Sequence, residues 1–189
     1  GADIREIVEI VKLQIDGQPK VIETDEGLFQ AKAVIVATGR EPIRLPFDVP
    51  SEHIHYCAIC DGAAYRDREV LVIGGGNSGI CDALYLLQQG IQKITLIEQM
   101  DRLFAEQTSQ EALMARPEVT VLTSTEVTGI EMEGSNHKVF LRETRIGDCR
   151  EINVSGLFIY MGQIPNTGMF EGSLRMDPQG YILSDEDMH

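Results

Sequence analysis

The sequence predicts an α/β protein with a Rossmann-like three-layer fold that includes a β-meander, flanked by pieces of a second domain. Two observations lead to this prediction. The apolar run Val70–Ile73 enters a glycine-rich turn, which an amphipathic helix and a second apolar run, Ile94–Ile97, follow. Three β-leaning stretches come next, and a similar group of stretches opens the chain.

The central predicted unit is a βαβ motif of about thirty residues, from Glu69 to Glu98. Apolar residues recur along its helix at i, i+3, i+4 and i+7, the pattern of an amphipathic helix: Ile80, Ala83, Leu84 and Leu87. Gly90 follows where a helix C-terminus favours a left-handed residue. A parallel pair of strands joined by a helix is therefore expected here.

The residues after this motif predict a short strand, a meander and a closing strand that runs into Gly162. The expected strands are Val119–Leu122, Glu126–Met132, Lys138–Thr144, Glu151–Val154 and Leu157–Met161. The opening residues repeat the later part of this order, at Ile4–Ile15, Lys20–Thr24, Leu28–Ala31 and a closing strand at Ala33–Gly39. We therefore expect two dinucleotide-type domains, of which only the second has its phosphate-binding half in this sequence.

The composition excludes several classes of protein. The 16 Lys and Arg against 30 Asp and Glu give a net charge of -14, which disfavours nucleic acid and anionic membranes as partners. No apolar stretch approaches the ~20 residues that span a bilayer. Four cysteines with one CxxC pair suit a reducing, cytoplasmic compartment. The chain opens without Met, so we expect it to be part of a longer polypeptide.

Cys57 and Cys60 form the CxxC pair, and this spacing at a helix start favours a redox-active disulfide. The alternatives are a zinc half-site, which needs two further ligands, and an inert pair. Cys81 is expected to be a small core residue of the Rossmann helix, and Cys149 an exposed one. His53 and His55 precede the pair, and we expect ordinary packing or exposure for both rather than a proton relay.

The glycine-rich turn predicts a dinucleotide-phosphate site. Gly74 permits the tight turn, Gly76 lets the backbone approach a pyrophosphate, and Gly79 lets the helix pack closely. Asn77 or Ser78 is expected to cap the helix and to contact a phosphate. The alternative is a Rossmann-like turn that binds no ligand.

The motifs CAICDG at 57–62 and GGGNSG at 74–79, in this order, resemble those of the low-molecular-weight thioredoxin reductases and the flavoprotein subunits of alkyl hydroperoxide reductase. The resemblance implies a nicotinamide domain inserted into a flavin domain. Residues 1–40 would be a flavin-domain remnant with a meander and closing strand, 41–162 the nicotinamide domain, and 163–189 the return segment. Gly162 would belong to the return crossing. The main FAD-binding parts of the family are absent from this chain.

The same resemblance implies roles for the redox residues. Cys60 would face the flavin, Cys57 would attack the partner's disulfide, and Asp61 would be the proton donor and acceptor, with a helix N-cap as its alternative or additional role. Electrons would pass from NAD(P)H through FAD to the pair, and then to a thioredoxin-like or peroxiredoxin-system protein, in a homodimeric parent. The alternatives are an alkyl hydroperoxide reductase flavoprotein and a module that only binds nucleotide.

The sequence departs from the thioredoxin reductase pattern after the second strand of the βαβ motif. Those enzymes place a His-Arg-Arg cluster and a further Arg there to bind the 2′-phosphate of NADPH. The matching positions here are Glu98, Gln99, Met100 and Phe104. Glu98 lies 19 residues after Gly79, where a carboxylate accepts hydrogen bonds from the ribose 2′-OH. We therefore expect NADH to be preferred over NADPH; the alternative for Glu98 is a solvated strand-end residue.

Overall fold

The structure is a computed structural model that describes residues 2–49 and 53–184. The described residues of 1–41 and 163–189 form one compact unit, and those of 42–162 form another. The strands are β1 Ile10–Gln14, β2 Lys20–Thr24, β3 Gly27–Ala31, β4 Arg40–Pro42, β5 Ile54–His55, β6 Glu69–Ile73, β7 Lys93–Ile97, β8 Val119–Leu122, β9 Thr125–Glu133, β10 Asn136–Glu143, β11 Cys149–Val154, β12 Gly156–Ile159 and β13 Gln163–Pro165. The helices are α1 Ala58–Asp61, α2 Asn77–Gln88 and α3 Gln107–Met114, with 3₁₀ turns at Gly62–Tyr65 and Gly168–Phe170.

The unit of residues 42–162 confirms the predicted three-layer α/β fold. Its central sheet is parallel, with strand order β5-β12-β6-β7-β8. Helices α2 and α3 cover one face, and the antiparallel meander β9-β10-β11 covers the other. Because both faces are covered, β6, β7 and β12 are almost entirely buried, as their continuous apolar runs predict.

Alternate residues of each strand face opposite sides of the sheet. On β6, Val70 and Val72 pack with the helices, whereas Leu71 and Ile73 pack with the meander. This alternation follows from the two-residue period of a strand. Because β6 and β7 are parallel, their carboxyl ends lie at the same edge of the sheet, where the glycine-rich turn begins.

The other unit contains the predicted opening meander, the antiparallel sheet β1-β2-β3, and the short pair β4-β13. The expected first strand, Ile4–Ile15, is shorter than predicted, because β1 begins only at Ile10. The expected closing strand at Ala33–Gly39 is wrong: these residues are not in a strand, and Ile35 is 92% exposed. Within the described ranges no strand pairs with this segment, and a buried parallel strand needs such a neighbour for its backbone hydrogen bonds.

The position of Cys81 also differs from the expectation of a core residue. It is exposed on α2, as Cys149 is on β11. The apolar stripe of α2 includes Ile80, and the next residue is turned by about 100° around the helix, away from the sheet. Within residues 2–49 and 53–184, none of the helices has the length and apolarity to cross a membrane.

Candidate active site: a redox pair beside a nucleotide turn

The redox pair lies at the start of α1, where Cys57 and Cys60 form a disulfide with their Cα atoms 5.4 Å apart. Cys57 occupies the N-cap position, and its Sγ accepts a 3.2 Å hydrogen bond from the amide of Cys60. In the described part of the chain, no group of three or more His, Cys, Asp or Glu could hold a metal ion.

Two side chains accept hydrogen bonds from the first amide of α1, the helix that begins after Cys57. The backbone N–H of Ala58 donates to the Tyr160 hydroxyl at 3.1 Å and to Asp82 Oδ2 at 3.3 Å. Burial, together with the hydrogen bond to Asp82, raises the pKa of Tyr160 well above its ordinary value. Tyr160 therefore stays a neutral hydroxyl that can accept from Ala58 and donate to Asp82.

Asp61 is the last residue of α1 and the N-cap residue of the 3₁₀ turn Gly62–Tyr65, but its side chain makes no capping hydrogen bond. Its Oδ2 lies instead 3.1 Å from Nδ1 of His55 on β5. The Asp61 side chain is 42% exposed and that of His55 only 18%. The imidazole of His55 therefore contacts the carboxylate of Asp61, the residue that follows Cys60.

The imidazole–carboxylate contact belongs to a longer hydrogen-bonded chain. His55 Nε2 is 2.6 Å from the hydroxyl of Tyr65, and His53 Nδ1 is 3.0 Å from the same hydroxyl. Burial, with the nearby charge of Asp61, raises the pKa of Tyr65 to about 12. Sequence reasoning did not assign a role to either histidine. The available signal was their His-x-His spacing, although only His55 lies in β5, and His53 precedes the strand with a φ of 67°.

The glycine-rich turn at 74–79 has the geometry that close packing requires. Gly74 has a φ of 115°, and a Cβ there would lie 2.2 Å from the carbonyl oxygen of Tyr160. A Cβ on Gly79 would lie 2.0 Å from the carbonyl oxygen of Gly74. A Cβ on Gly76 would meet open space. Gly74 and Gly79 are therefore closely packed within the turn, whereas Gly76 faces open space.

The expected helix cap is wrong. Gly76, rather than Asn77 or Ser78, occupies the N-cap position of α2. Asn77 is already helical, and its Oδ1 accepts a 2.8 Å hydrogen bond from the amide of Glu106 at the start of α3. Because glycine has no side-chain oxygen, it leaves the first-turn amides of α2 without an N-cap side chain, as an anion site requires.

Glu98 is half-buried and directly follows β7. Its Oε2 accepts a 2.7 Å hydrogen bond from the amide of Gly75, and its Oε1 accepts one of 2.9 Å from the amide of Met100. The carboxylate thus lies directly beside the glycine-rich turn. A nucleotide would fit this arrangement, since backbone and carboxylate both face the same edge of the sheet.

A cleft of about 300 Å³ opens at this edge, between the turn and the meander. Gly74, Glu98, Glu126 and Tyr160 are among the residues that line it. Arg142 pairs with Glu126, and its Nε lies 2.9 Å from Oε1. The wall of the cleft therefore carries two carboxylates, one of them compensated by a cation.

Gly162 does not line this cleft, although its neighbour Met161 does. Its φ is 104°, and its carbonyl accepts a 3.0 Å hydrogen bond from the amide of Ile43. The structure brings together the predicted residues of the turn and Glu98, and separately the predicted residues of the redox pair, whereas Gly162 lies at the end of the unit.

Comparison with known proteins gives a consistent match. The family described as "Pyridine nucleotide-disulphide oxidoreductase" matches residues 2–189. The chain is 34% identical to a 34.2 kDa protein in the rubredoxin operon of Clostridium pasteurianum, over 100% of this chain and 62% of that protein. It is 30% identical to a thioredoxin reductase of Peptoclostridium acidaminophilum, over 95% of this chain and 60% of that one.

Solved structures agree with the sequence relatives. The thioredoxin reductase of T. acidophilum superposes with a TM-score of 0.84 at 29% identity, over 96% of this chain and 61% of that one. The thioredoxin reductase of Lactococcus lactis superposes with a TM-score of 0.82 at 29% identity, over 95% and 61%. The chain thus spans about three fifths of the length of these relatives.

Proposed function

The chain belongs to the pyridine nucleotide-disulphide oxidoreductase family, and from this premise we propose that it is the nicotinamide-binding and disulfide-bearing part of an enzyme of the thioredoxin reductase type. The observation that supports this most is Tyr160. Its hydroxyl accepts from the redox helix at Ala58, and its backbone packs against Gly74 of the nucleotide turn. One residue thus joins a redox disulfide to a nucleotide site.

The proposed reaction transfers two electrons and two protons from the reduced pair to the disulfide of a thioredoxin-like protein. The Cys57 thiolate attacks that disulfide, forms a mixed disulfide and releases one partner thiolate, which takes up a proton. Cys60 then attacks Cys57 Sγ, restores the Cys57–Cys60 disulfide and releases the second partner thiolate, which also takes up a proton. The pair is oxidised and the partner is reduced.

Electrons are proposed to reach the Cys57–Cys60 pair from a nicotinamide by way of FAD. FAD would supply the chemistry that couples hydride transfer from the nicotinamide to reduction of the disulfide. The described residues contain a single glycine-rich phosphate turn, and we assign it to the nicotinamide nucleotide. Gly74 and Gly79 would shape this turn. The amides of Asn77 and Ser78, at the open start of α2, would bind the pyrophosphate.

The proposed donor is NADH rather than NADPH. Glu98 would bind the adenosine ribose through its 2′-hydroxyl, because its carboxylate lies beside the turn at Gly75. A 2′-phosphate would meet this carboxylate, whereas the charge of Glu126 in the same cleft is offset by Arg142. Like charges at close range in a partly shielded cleft cost several kcal/mol, on the order of a hundredfold or more in affinity.

Two measurements on this chain test the proposal. The chain is reduced, freed of reductant and mixed with oxidised thioredoxin, and the thiols on each protein are counted. The expected result is transfer of two thiols per chain, lost in Cys57→Ser and retained in Cys149→Ser. Calorimetry with NADH tests the nucleotide site. A wild-type chain that leaves thioredoxin oxidised would refute the proposed disulfide chemistry, and one that binds no NADH would refute the nucleotide site.

A further inference from the structure

We infer that His55 is a positioning residue for Asp61, so that an imidazole–carboxylate pair, rather than a lone carboxylate, serves the thiol of Cys60. This inference rests on the proposed function. It is carried by the 3.1 Å contact of His55 Nδ1 with Asp61 Oδ2 and by the 2.6 Å contact of His55 Nε2 with the Tyr65 hydroxyl. Both ring nitrogens of His55 are thereby engaged.

For a neutral His55, the hydrogen bonds have one consistent direction. The Tyr65 hydroxyl has a single proton, so it donates to one imidazole and accepts from the other. If it donates to His55 Nε2, then His55 carries its proton on Nδ1 and donates to Asp61. His53 then donates from Nδ1 to the Tyr65 oxygen. This assignment satisfies all three contacts and directs an N–H at the carboxylate.

The packing of Tyr65 keeps this arrangement rigid. Tyr65 is only 5% exposed, and its ring packs edge-on against Phe158 of β12 at 5.6 Å between centroids. The His55 ring packs against the same Phe158 at 5.1 Å. Because the tyrosine cannot move away, the imidazole is fixed from one side and can hold the Asp61 carboxylate on the other.

The pair would act in the resolving step. Cys60 gives its thiol proton to the Asp61 carboxylate as its sulfur attacks Cys57 Sγ in the mixed disulfide. The bond from Cys57 to the partner's sulfur breaks, and the leaving thiolate takes the proton from Asp61, which returns to a carboxylate. His55 orients the carboxylate oxygen throughout through its 3.1 Å contact.

Other ionisable groups surround the pair and define what a pH profile would report. Nearest are the two cysteines, with Tyr65 and then His53 behind His55. Asp82 and Tyr160 face the opposite end of α1, at Ala58. Two further groups lie near His53. Arg68 lines a surface cleft together with His53, and the centroid of the His137 ring is 5.8 Å from that of the His53 ring.

The test measures thiol reactivity rather than turnover. In a Cys81→Ser, Cys149→Ser background, the reduced chain is alkylated with iodoacetamide from pH 5 to pH 9, and Cys60 modification is followed by mass spectrometry. We expect two inflections, one from the thiol and one from the Asp61–His55 pair. In His55→Gln the second inflection should disappear. The rate at pH 7 should fall about tenfold, because Asp61 is no longer held by His55 in the position from which it takes the proton of Cys60.

Matched variants make the outcome decisive. Asp61→Asn should also lose the second inflection, whereas His53→Gln should keep it, since His53 does not contact Asp61. Tyr65→Phe retains His55 and should give an intermediate loss, and it replaces His55→Gln if that variant melts early. An unchanged profile in the folded His55 variant overturns the inference. That result differs from failure of the proposed function, in which the wild-type chain transfers no thiols to thioredoxin.

Discussion

The hydroxyl of Tyr160 lies 3.1 Å from the backbone nitrogen of Ala58, the first residue of the redox helix. The backbone of the same tyrosine leaves no space for a side chain on Gly74, the first residue of the nucleotide turn. A single residue at the end of β12 therefore contacts both the helix that carries the disulfide and the glycine-rich turn.

Replacing Tyr160 by Phe should loosen the start of the redox helix. The variant loses the acceptor for the Ala58 amide and the donor to Asp82, while the ring remains. One buried hydrogen bond contributes about 1 kcal/mol, so the free energy of unfolding in urea should fall by about 1–2 kcal/mol. Asp82→Asn, which preserves the shape, is the matched variant. A Tyr160→Phe chain as stable as wild type would contradict the assigned contact.

Cys57 and Cys60 should form a reversible disulfide, whereas Cys81 and Cys149 stay free thiols. Mild reduction should expose two further thiols, since the exposed cysteines react before and after reduction alike. Counting with a thiol reagent checks this. Cys57→Ser should abolish the increase, and Cys149→Ser should leave it at two. Pairing of Cys81 with Cys149 in a peptide map would show the assignment to be wrong.

Gly79→Ala and Gly76→Ala should distinguish a glycine that packing requires, Gly79, from one that nucleotide binding requires, Gly76. The Cβ added by Gly79→Ala would lie 2.0 Å from the carbonyl oxygen of Gly74, so backbone must shift, at a cost of about 1–3 kcal/mol or more in unfolding free energy. At Gly76 a Cβ meets open space, so stability should change by no more than about 1 kcal/mol. Binding of NADH should nevertheless weaken about tenfold if the pyrophosphate occupies this open space as proposed, since the Cβ would then crowd it. Equal melting of the two variants would argue against the close packing.

The double substitution Glu98→Arg, Gln99→Arg should move the nucleotide preference from NADH towards NADPH. The change removes the carboxylate that would oppose a 2′-phosphate and adds two guanidinium groups. Titration of both nucleotides by calorimetry measures the ratio, and Glu131→Arg on the exposed part of β9 controls for two of the three units of charge that the double substitution adds. Tighter binding of NADPH than of NADH by the wild-type chain would exclude the assigned role of Glu98.

Tyr65 should make stability depend on alkaline pH. Its pKa in the folded chain is about 12, raised from 10 by burial, so the unfolded tyrosine ionises first. The stabilisation is complete below pH 10 and is lost as the pH rises towards 12, by on the order of 2 kcal/mol. Urea unfolding at pH 9, 10 and 11 measures this slope. Tyr65→Phe should reduce it, and identical slopes would show that the buried hydroxyl contributes nothing.

Periodicity along the sequence predicts the central unit well and the other unit less well. Strands β6 and β7 and helix α2 are apparent from apolar spacing, because burial on a face imposes a local period of 2 or 3.6. The apolar run Ala33–Ala37 has the same character, yet it is not in a strand. Whether such a run becomes a strand depends on a neighbouring strand, which local spacing does not encode.

The sequence by itself determined the residues whose relation is set by short stretches of chain. Cys57 and Cys60 meet because two residues separate them, and Glu98 reaches the turn because a βαβ motif has a nearly constant length. Only the tertiary structure brought Tyr160 to Ala58, across 102 positions in the chain. It also turned His55 towards Asp61 and Cys81 towards solvent. Hydrogen bonds of about 3 Å depend on how strands and helices pack, and residue spacing alone does not specify that packing.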